Sequence, residues 1–275
     1  MSTYSSTAAL VLGGTGKTGA RVARRLTNLG YAVRVGSRST TPPFSWEDPS
    51  TWGPALQGVD RVYIVHAGLG SPESVGQVRD FTRTAVQAGV HRMVMLTGGG
   101  SAEFAQAEDA VRTSGAEWTI LRPNWFNQNF DEDLLTNTRQ DVRAGEVVGS
   151  YGASRFAFVD CEDIADVAAA ALTGQGHHGK TYDITGPRLM TFAQAVAEIA
   201  AATGRPITYT DLTGAQYRDH LIARGMPVDV AQSFDGDFPD VDSELTTHVH
   251  DVLGRPAKDF TDYARQAAAT GVWDA

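Results

Sequence analysis

The stretch Leu10-Val11-Leu12-Gly13-Gly14-Thr15-Gly16-Lys17-Thr18-Gly19 decides how this chain is read. An apolar run ends in glycines and then opens into a helical pattern. Gly13, Gly16 and Gly19 spell G-x-x-G-x-x-G, and Gly14, Gly16 and Gly19 also satisfy G-x-G-x-x-G. Glycine permits positive φ in a tight turn, lets backbone N–H groups come close to phosphates, and lets a helix pack against the strand before it. The N–H groups and dipole at the helix start then favour an anion. Glycine turns also join strands to helices for structural reasons alone, so context matters. Ala8-Ala9-Leu10-Val11-Leu12 reads as a strand, Val22, Leu26 and Leu29 fall at helical spacing, and Gly30 sits where a helix ends. Ala32-Val33-Arg34-Val35 follows as a second strand and completes the strand–helix–strand unit that the fingerprint requires. Gly13, Thr15, Gly16, Lys17, Thr18 and Gly19 are therefore the expected pyrophosphate-binding residues. A P-loop is excluded, because G-x-x-x-x-G-K-[ST] needs glycine where Val11 stands.

The second strand indicates which dinucleotide is bound. A site for NAD usually carries an acidic residue here to accept from the ribose 2′-hydroxyl. This chain has Gly36-Ser37-Arg38 instead, with no Asp or Glu between Tyr31 and Ser45. Arg38 is expected to pair with a 2′-phosphate, and Ser37 to donate to it, which points to NADP(H). Arg34 either adds charge to that site or is a solvated strand residue.

With 275 residues, 42% of them hydrophobic, the chain suits one large α/β domain with an appended lobe. Its net charge of −9, with no basic run, argues against a nucleic-acid partner. Cys161 is the single cysteine, so an intrachain disulfide and a thiolate-rich metal site are both excluded. The polar start of the chain does not read as a signal peptide, and no long apolar stretch reads as a membrane span. The expectation is a cytoplasmic protein, monomer or homodimer, acting on a small molecule, with no metal. His177-His178 reads as an exposed turn. His248 and His250 would share one face of an extended segment but lack a third ligand.

Strand-like runs recur at Val62-Tyr63-Ile64-Val65, Met93-Val94-Met95-Leu96 and Trp118-Thr119-Ile120-Leu121, separated by helical patterns over 72–88 and 102–114. This alternation implies a parallel sheet covered on both faces. Pro42 to Asp48 reads as a short edge-like segment, and Phe156 to Val159 as a short strand. The fold class is α/β: a Rossmann-type doubly wound parallel sheet with a smaller C-terminal α/β substrate lobe. The boundaries expected are 1–125 for the cofactor domain, with 156–175 returning to it, and 126–155 with 176–275 for the lobe.

The Tyr-x-x-x-Lys pair of common short-chain dehydrogenases is missing, since no such spacing occurs. The helix that would carry it offers Phe104 and Glu108. Thr97 stands where a serine would help, either as a hydrogen-bond donor or as a strand cap. Ordinary alcohol–ketone chemistry by a tyrosine acid is thus not expected, whereas hydride transfer to an activated acceptor needs mainly proximity and orientation. The G-x-S-x-G elbow of hydrolases is also absent.

Gly13 to Gly19, the run Trp118 to Phe130, Phe158 to Ala165 and Tyr182 to Pro187 together resemble the NmrA-like family of atypical short-chain dehydrogenases. Gly36-Ser37-Arg38, Phe44 to Asp48 and Arg122 to Phe126 resemble most the branch with clavine reductases and NADPH quinone reductases. The resemblance implies about seven parallel strands. It places the loops after strands four (His66, Ala67) and five (Thr97, Gly98), and Pro123, along the cofactor. It places Asn124, Trp125 and Phe126 near the nicotinamide, and Asn129 is a further substrate candidate. Core packing for Phe126 and helix capping for Asn129 remain open. His66 and Tyr151 are the leading proton-donor candidates. The function implied is NADPH-dependent reduction of an iminium, enone or quinone. The alternative is an NADP(H)-binding redox sensor that acts through a protein partner.

Overall fold

The computed structural model describes residues 8–132, 137–236 and 242–274. In chain order the elements are β1 (Ala8–Leu12), α1 (Lys17–Asn28), β2 (Ala32–Gly36), α2 (Trp52–Leu56), β3 (Val59–Ile64), α3 (Pro72–Gln87), β4 (Arg92–Leu96), α4 (Ala102–Arg112), β5 (Glu117–Pro123), α5 (Thr138–Ala144), β6 (Glu146–Gly149), α6 (Cys161–Thr173), β7 (Lys180–Ile184), α7 (Phe192–Thr203), β8 (Thr208–Asp211), α8 (Gly214–Ala223), α9 (Val228–Ala231), α10 (His248–Leu253) and α11 (Phe260–Ala269). They group into two units. The first runs to Pro123 and takes in Cys161–Ile184 and His248–Arg255; the second holds Asn124–Asp160, Thr185–Thr247 and Pro256–Ala275.

The first unit is built on a parallel sheet. Among the described residues it has six strands in the order β2-β1-β3-β4-β5-β7. The inner strands β1 and β4 lack polar alternation because both faces are buried. Leu10, Leu12, Val62, Ile64, Met93, Met95 and Ile120 pack against Val78, Phe81 and Ala85 of α3 and Ala107 and Val111 of α4. Val11, Tyr63 and Val94, one pleat out of step, are equally buried and point to the other face, where α1 and α6 lie. A charge cluster joins those two helices. Arg21, Arg24 and Arg25 of α1 reach Glu162 of α6 at 2.8, 2.8 and 2.5 Å, and Arg25 also reaches Asp166 at 2.5 Å. Burial raises the Glu162 pKa, but hydrogen bonds from Arg24 and Arg25 and the nearby charges of Arg25 and Arg21 outweigh it, bringing the carboxyl down to about 2. At the other end of α6, Arg61 of β3 and Arg92 of β4 donate to the last-turn carbonyl of Leu172 at 2.9 and 3.2 Å. Cations there satisfy carbonyls that the helix itself leaves open.

The second unit carries a small parallel sheet, β6 with β8, and a core of Phe130, Phe156, Phe158, Phe192, Phe260 and Trp273 packed with α7 and α11. Several expectations are corrected here. Among the described residues the main sheet has six strands rather than about seven. Pro42 to Asp48 forms no strand, so the loops expected after strands four and five follow β3 and β4. Phe156 to Val159 makes only isolated bridges, Phe156 with Met190 and Val159 with Phe126. Lys180–Ile184 and His248–Arg255 belong with the sheet unit, not the lobe, because β7 pairs with β5 and α10 packs on α6. His248 and His250 sit on helix α10, where residues two apart diverge. Arg34 is partly exposed and its guanidinium is engaged: it donates to the carbonyls of Ala55 and Gln57, both at 2.7 Å. Among the described residues no helix is long and apolar enough to cross a membrane.

Candidate functional site

The chain order reverses between β1 and β3, and ligands of open α/β sheets bind beyond the carboxyl ends at such a switch point. Strand register brings Leu12, Gly36, Ile64, Leu96 and Leu121 to that end. The loops that start there carry Gly13–Lys17, Ser37–Arg38, His66–Ala67 and Thr97–Gly98, and β5 ends at Pro123.

The three motif glycines have different reasons. Gly13 has φ +61°, a left-handed conformation that side chains strain. A Cβ on Gly19 would lie 2.2 Å from the Gly13 carbonyl oxygen and 2.9 Å from the Gly14 Cα, so α1 starts in direct contact with the turn. Gly16 is exposed and is the N-cap of α1, with no side chain bonded to the first-turn amides. Helices α3, α4, α7, α8 and α11 differ: Ser71, Ser101, Thr191, Thr213 and Asp259 cap them. Helix α1 also has no acidic residue in its first turn. Thr15 is exposed, Lys17 half-buried and Thr18 buried. A turn with open amides and no competing carboxylate fits a diphosphate.

Beyond β2, Ser37 and Thr40 fold the loop on itself. The Ser37 amide donates to Thr40 Oγ1 at 3.2 Å, and Thr40 Oγ1 donates back to the Ser37 carbonyl at 2.8 Å. The Ser37 and Ser39 hydroxyls lie 3.0 Å apart. Arg38 is exposed and makes no hydrogen bond or ion pair among the described residues. An exposed guanidinium with no hydrogen-bond partner, beside two hydroxyls, fits a phosphate monoester.

His66 is tightly held. The Gly68 amide donates to Nδ1 at 3.1 Å, so Nε2 carries the proton and donates to Gln77 Oε1 at 2.7 Å. Trp46 lies against the ring, 4.6 Å between centroids, and its own Nε1 donates to the Val65 carbonyl. Both nitrogens of His66 thus hold the loop. At the end of β4, the Thr97 hydroxyl donates to Glu108 Oε1 at 2.8 Å, and Arg122 of β5 grips the same carboxylate at 2.8 and 2.5 Å.

In the second unit, Asn124 Oδ1 accepts from the Trp125 amide at 2.9 Å. Trp125 meets Tyr151, Phe156 and Phe192 edge to face at 5.2, 5.8 and 5.4 Å. Phe126 bridges to Val159, and Asn129 ends a single 3-10 turn. Tyr151 stacks on Phe192 at 3.8 Å, and burial drives its phenol pKa upward, which makes it a weak acid. Tyr209 and the amides of Tyr151 and Gly152 all donate to Asp211 Oδ1 at 2.9–3.1 Å, which fixes that loop.

The family described as NAD(P)H-binding matches residues 13–175, a span that starts at the first motif glycine. The chain belongs to the NAD(P)H-binding family. The NAD(P)H azoreductase of Xenophilus azovorans is 31% identical over 285 residues, which cover 94% of this chain and 98% of that protein. Festuclavine synthase I of Penicillium roqueforti is 30% identical over 93% of this chain and 96% of its own length. The NADPH-dependent quinone oxidoreductase of Escherichia coli, solved with NADPH, superposes with a TM-score of 0.76 over 94% of this chain and 99% of that one; at 22% identity the match speaks for the fold. The expected likeness to NmrA-like, clavine and quinone reductases is borne out. As a member of the NAD(P)H-binding family, this chain is an NAD(P)H-dependent oxidoreductase by class.

Sequence places Glu108 only where a catalytic lysine would stand; its pairing with Thr97 and Arg122 emerges in the fold. The signal was present: Glu108 shares the inward stripe of α4 with Ala107 and Val111, an unusual place for a carboxylate.

Proposed function

We propose that this chain is an NADPH-dependent reductase of small, already activated acceptors, an iminium, an enone or a quinone, working without a tyrosine acid. The observation that carries this reading is the state of α4. Where a tyrosine–lysine pair would stand are Phe104 and Glu108, and Glu108 is fully buried and locked between arginines. No proton is on offer there, so the acceptor must be activated before it arrives. The bound cofactor would supply a hydride, which alone turns an iminium into an amine, whereas a quinone or enone also takes one proton, from water.

The chain's own residues would bind and orient. Gly13, Thr15, Gly16, Lys17, Thr18 and Gly19 would hold the diphosphate, and Ser37 and Arg38 the 2′-phosphate that selects NADP(H). His66, Ala67, Thr97, Gly98 and Pro123 would line the cofactor. His66 would act by holding its loop rather than by giving a proton, since its one N–H already points at Gln77. Asn124, Trp125, Phe126 and Asn129 are proposed substrate contacts. The aromatic surroundings of Trp125 suit a flat, conjugated acceptor. Tyr151 would serve as a wall, because its buried phenol is a poor acid.

The test is NADPH consumption with a panel of quinones, enones and cyclic iminium salts, beside calorimetric titration of NADPH and NADH. Turnover with at least one class and tighter binding of NADPH are expected. Tight NADPH binding with no turnover on any acceptor would overturn the enzyme reading and favour a sensor.

A further inference from the structure

Glu108 has no exposed surface and lies on the apolar side of α4, yet it is a carboxylate. Burial alone would raise its pKa. Hydrogen bonds from Arg122 and Thr97, with the charges of Arg122 and Arg112, outweigh that and hold its pKa below the ordinary value. Arg112 reaches it at 2.8 Å from one turn further along α4. An ionised carboxylate only accepts, so the single proton of the Thr97 hydroxyl points at Glu108. What remains of that hydroxyl is lone pairs.

The same carboxylate braces the next turn of chain. Gly99 and Gly100 have φ +66° and +84°. A Cβ on Gly99 would touch Arg122 Cδ at 3.4 Å, and one on Gly98 would touch Phe104 Cε2 at 3.0 Å. The Arg122 chain and the Phe104 ring therefore form the bed of this turn, and Glu108 holds Arg122 in place. A buried ion pair is a poor way to gain stability, because an apolar side chain of like volume usually does as well. Its presence here calls for another reason.

We propose that Glu108 is a positioning residue: by taking the Thr97 proton and anchoring Arg122, it sets the end of β4 as a hydrogen-bond acceptor for an N–H or O–H group on the nicotinamide half of the cofactor. Thr97 is then the group that touches the cofactor, and it cannot be a proton donor to substrate. This rests on the reading that the chain binds NADPH at the carboxyl end of the sheet.

The test compares NADPH with adenosine 2′,5′-bisphosphate, which carries only the adenine half. Thr97→Val keeps shape and leaves the Glu108–arginine pairs intact. It is expected to weaken NADPH binding by about fivefold to tenfold, the worth of one hydrogen bond, while bisphosphate affinity stays within about twofold. Thr97→Ser should restore NADPH affinity. Glu108→Gln should show the same selective loss, with kcat falling more than the acceptor KM rises; if that variant fails to fold, Thr97→Val still decides. An analogue with acetylpyridine in place of nicotinamide lacks the amide N–H. If it abolishes the Thr97→Val penalty, the partner is the carboxamide; if the penalty persists, it is a ribose hydroxyl, and either result supports an acceptor role. Wild-type affinity for NADPH in Thr97→Val, or equal losses for NADPH and the bisphosphate, would overturn the proposal. A wild-type protein that binds neither ligand would instead sink the cofactor reading, and this inference with it.

Discussion

Arg38→Ala isolates what one guanidinium contributes to cofactor choice. Arg38 is exposed and makes no hydrogen bond or ion pair among the described residues, so its removal breaks no such contact and loses only a weak attraction to Glu47. In the complex it would face the 2′-phosphate beside the Ser37 and Ser39 hydroxyls. At about 4 Å, two unit charges attract by about 1 kcal/mol in bulk water and about 4 kcal/mol near a protein surface. A hydrogen bond to a charged group is worth about 1.5–3 kcal/mol. The exposed site favours the lower half of the Coulomb range, so a net loss of about 1.5–3 kcal/mol is expected, or about 10- to 150-fold in NADPH Kd. NADH affinity should not change. Arg38→Asp adds repulsion and should reverse the preference. Calorimetry with both nucleotides at two ionic strengths tests this. Going from about 0.01 M to about 0.15 M salt shortens the Debye length from about 30 to about 8 Å, so wild-type NADPH affinity should fall more than that of the alanine variant. NADPH binding to Arg38→Ala within about twofold of wild type, or equal losses for the two nucleotides, would refute the assignment.

Gly19→Ala should lower unfolding free energy by about 1–3 kcal/mol and weaken both nucleotides, because its Cβ meets backbone that cannot yield; denaturant titration checks it, and an unchanged midpoint would count against the close-contact argument. Glu162→Gln should be destabilising at neutral pH. The Glu162 carboxyl is depressed to about 2 from an ordinary 4.5, so its contribution is present above pH 4.5 and disappears as pH falls toward 2. The shift corresponds to about 3 kcal/mol at most, and the partial exposure of the pair with Arg24 reduces this to about 1–2 kcal/mol. Melting curves of both proteins should therefore converge in acid, and a constant gap would refute the linkage. Gln77→Ala and His66→Ala should reduce activity to a similar degree, within about threefold, if His66 acts by holding its loop; loss of turnover in the histidine variant alone would make it the proton donor.

Local features of this fold were legible in the sequence, and long-range ones were not. The unit β1–α1–β2 could be read because each glycine answers a constraint set within a few residues, φ at Gly13 and contact at Gly19. The missing acidic residue after β2 is likewise a local fact. Phe156 to Val159 misled because an apolar run is buried equally well as a strand or as an irregular segment, and here it forms single bridges. Strands β6 and β8, four residues each, are too short for alternation to stand out. His177 looked like an idle turn residue, yet its Nδ1 meets the Tyr182 hydroxyl at 2.9 Å, a contact that exists only once β7 is paired. The charge cluster between α1 and α6 links residues about 140 positions apart, as in Arg21 with Glu162. Its pattern was nonetheless visible: Arg21, Arg24 and Arg25 fall on one helical face, and so do Glu162, Asp163 and Asp166.

Charge placement explains how a protein of net charge −9 can hold a nucleotide that is itself polyanionic. Beyond about 8 Å the surplus of 32 acidic over 23 basic residues is screened, so only nearby groups matter at the site. Within the sheet unit the carboxylates that stand near arginines are already paired: Glu162 and Asp166 with α1, Asp163 with Arg255, Glu108 with Arg112 and Arg122. The acidic residue that acts on Arg38 is Glu47, and its carboxylate is turned to the Ser45 hydroxyl at 2.5 Å, the hydrogen bond that chiefly holds its pKa down; Arg38 adds a smaller share. The uncapped start of α1 and the exposed Arg38 guanidinium thus offer local positive groups in an acidic molecule. A ligand would gain most if its phosphates matched both places at once. A dinucleotide that carries both a diphosphate and a 2′-phosphate would do so, and on the proposed reading selectivity would rest on the spacing of two small features and not on overall charge.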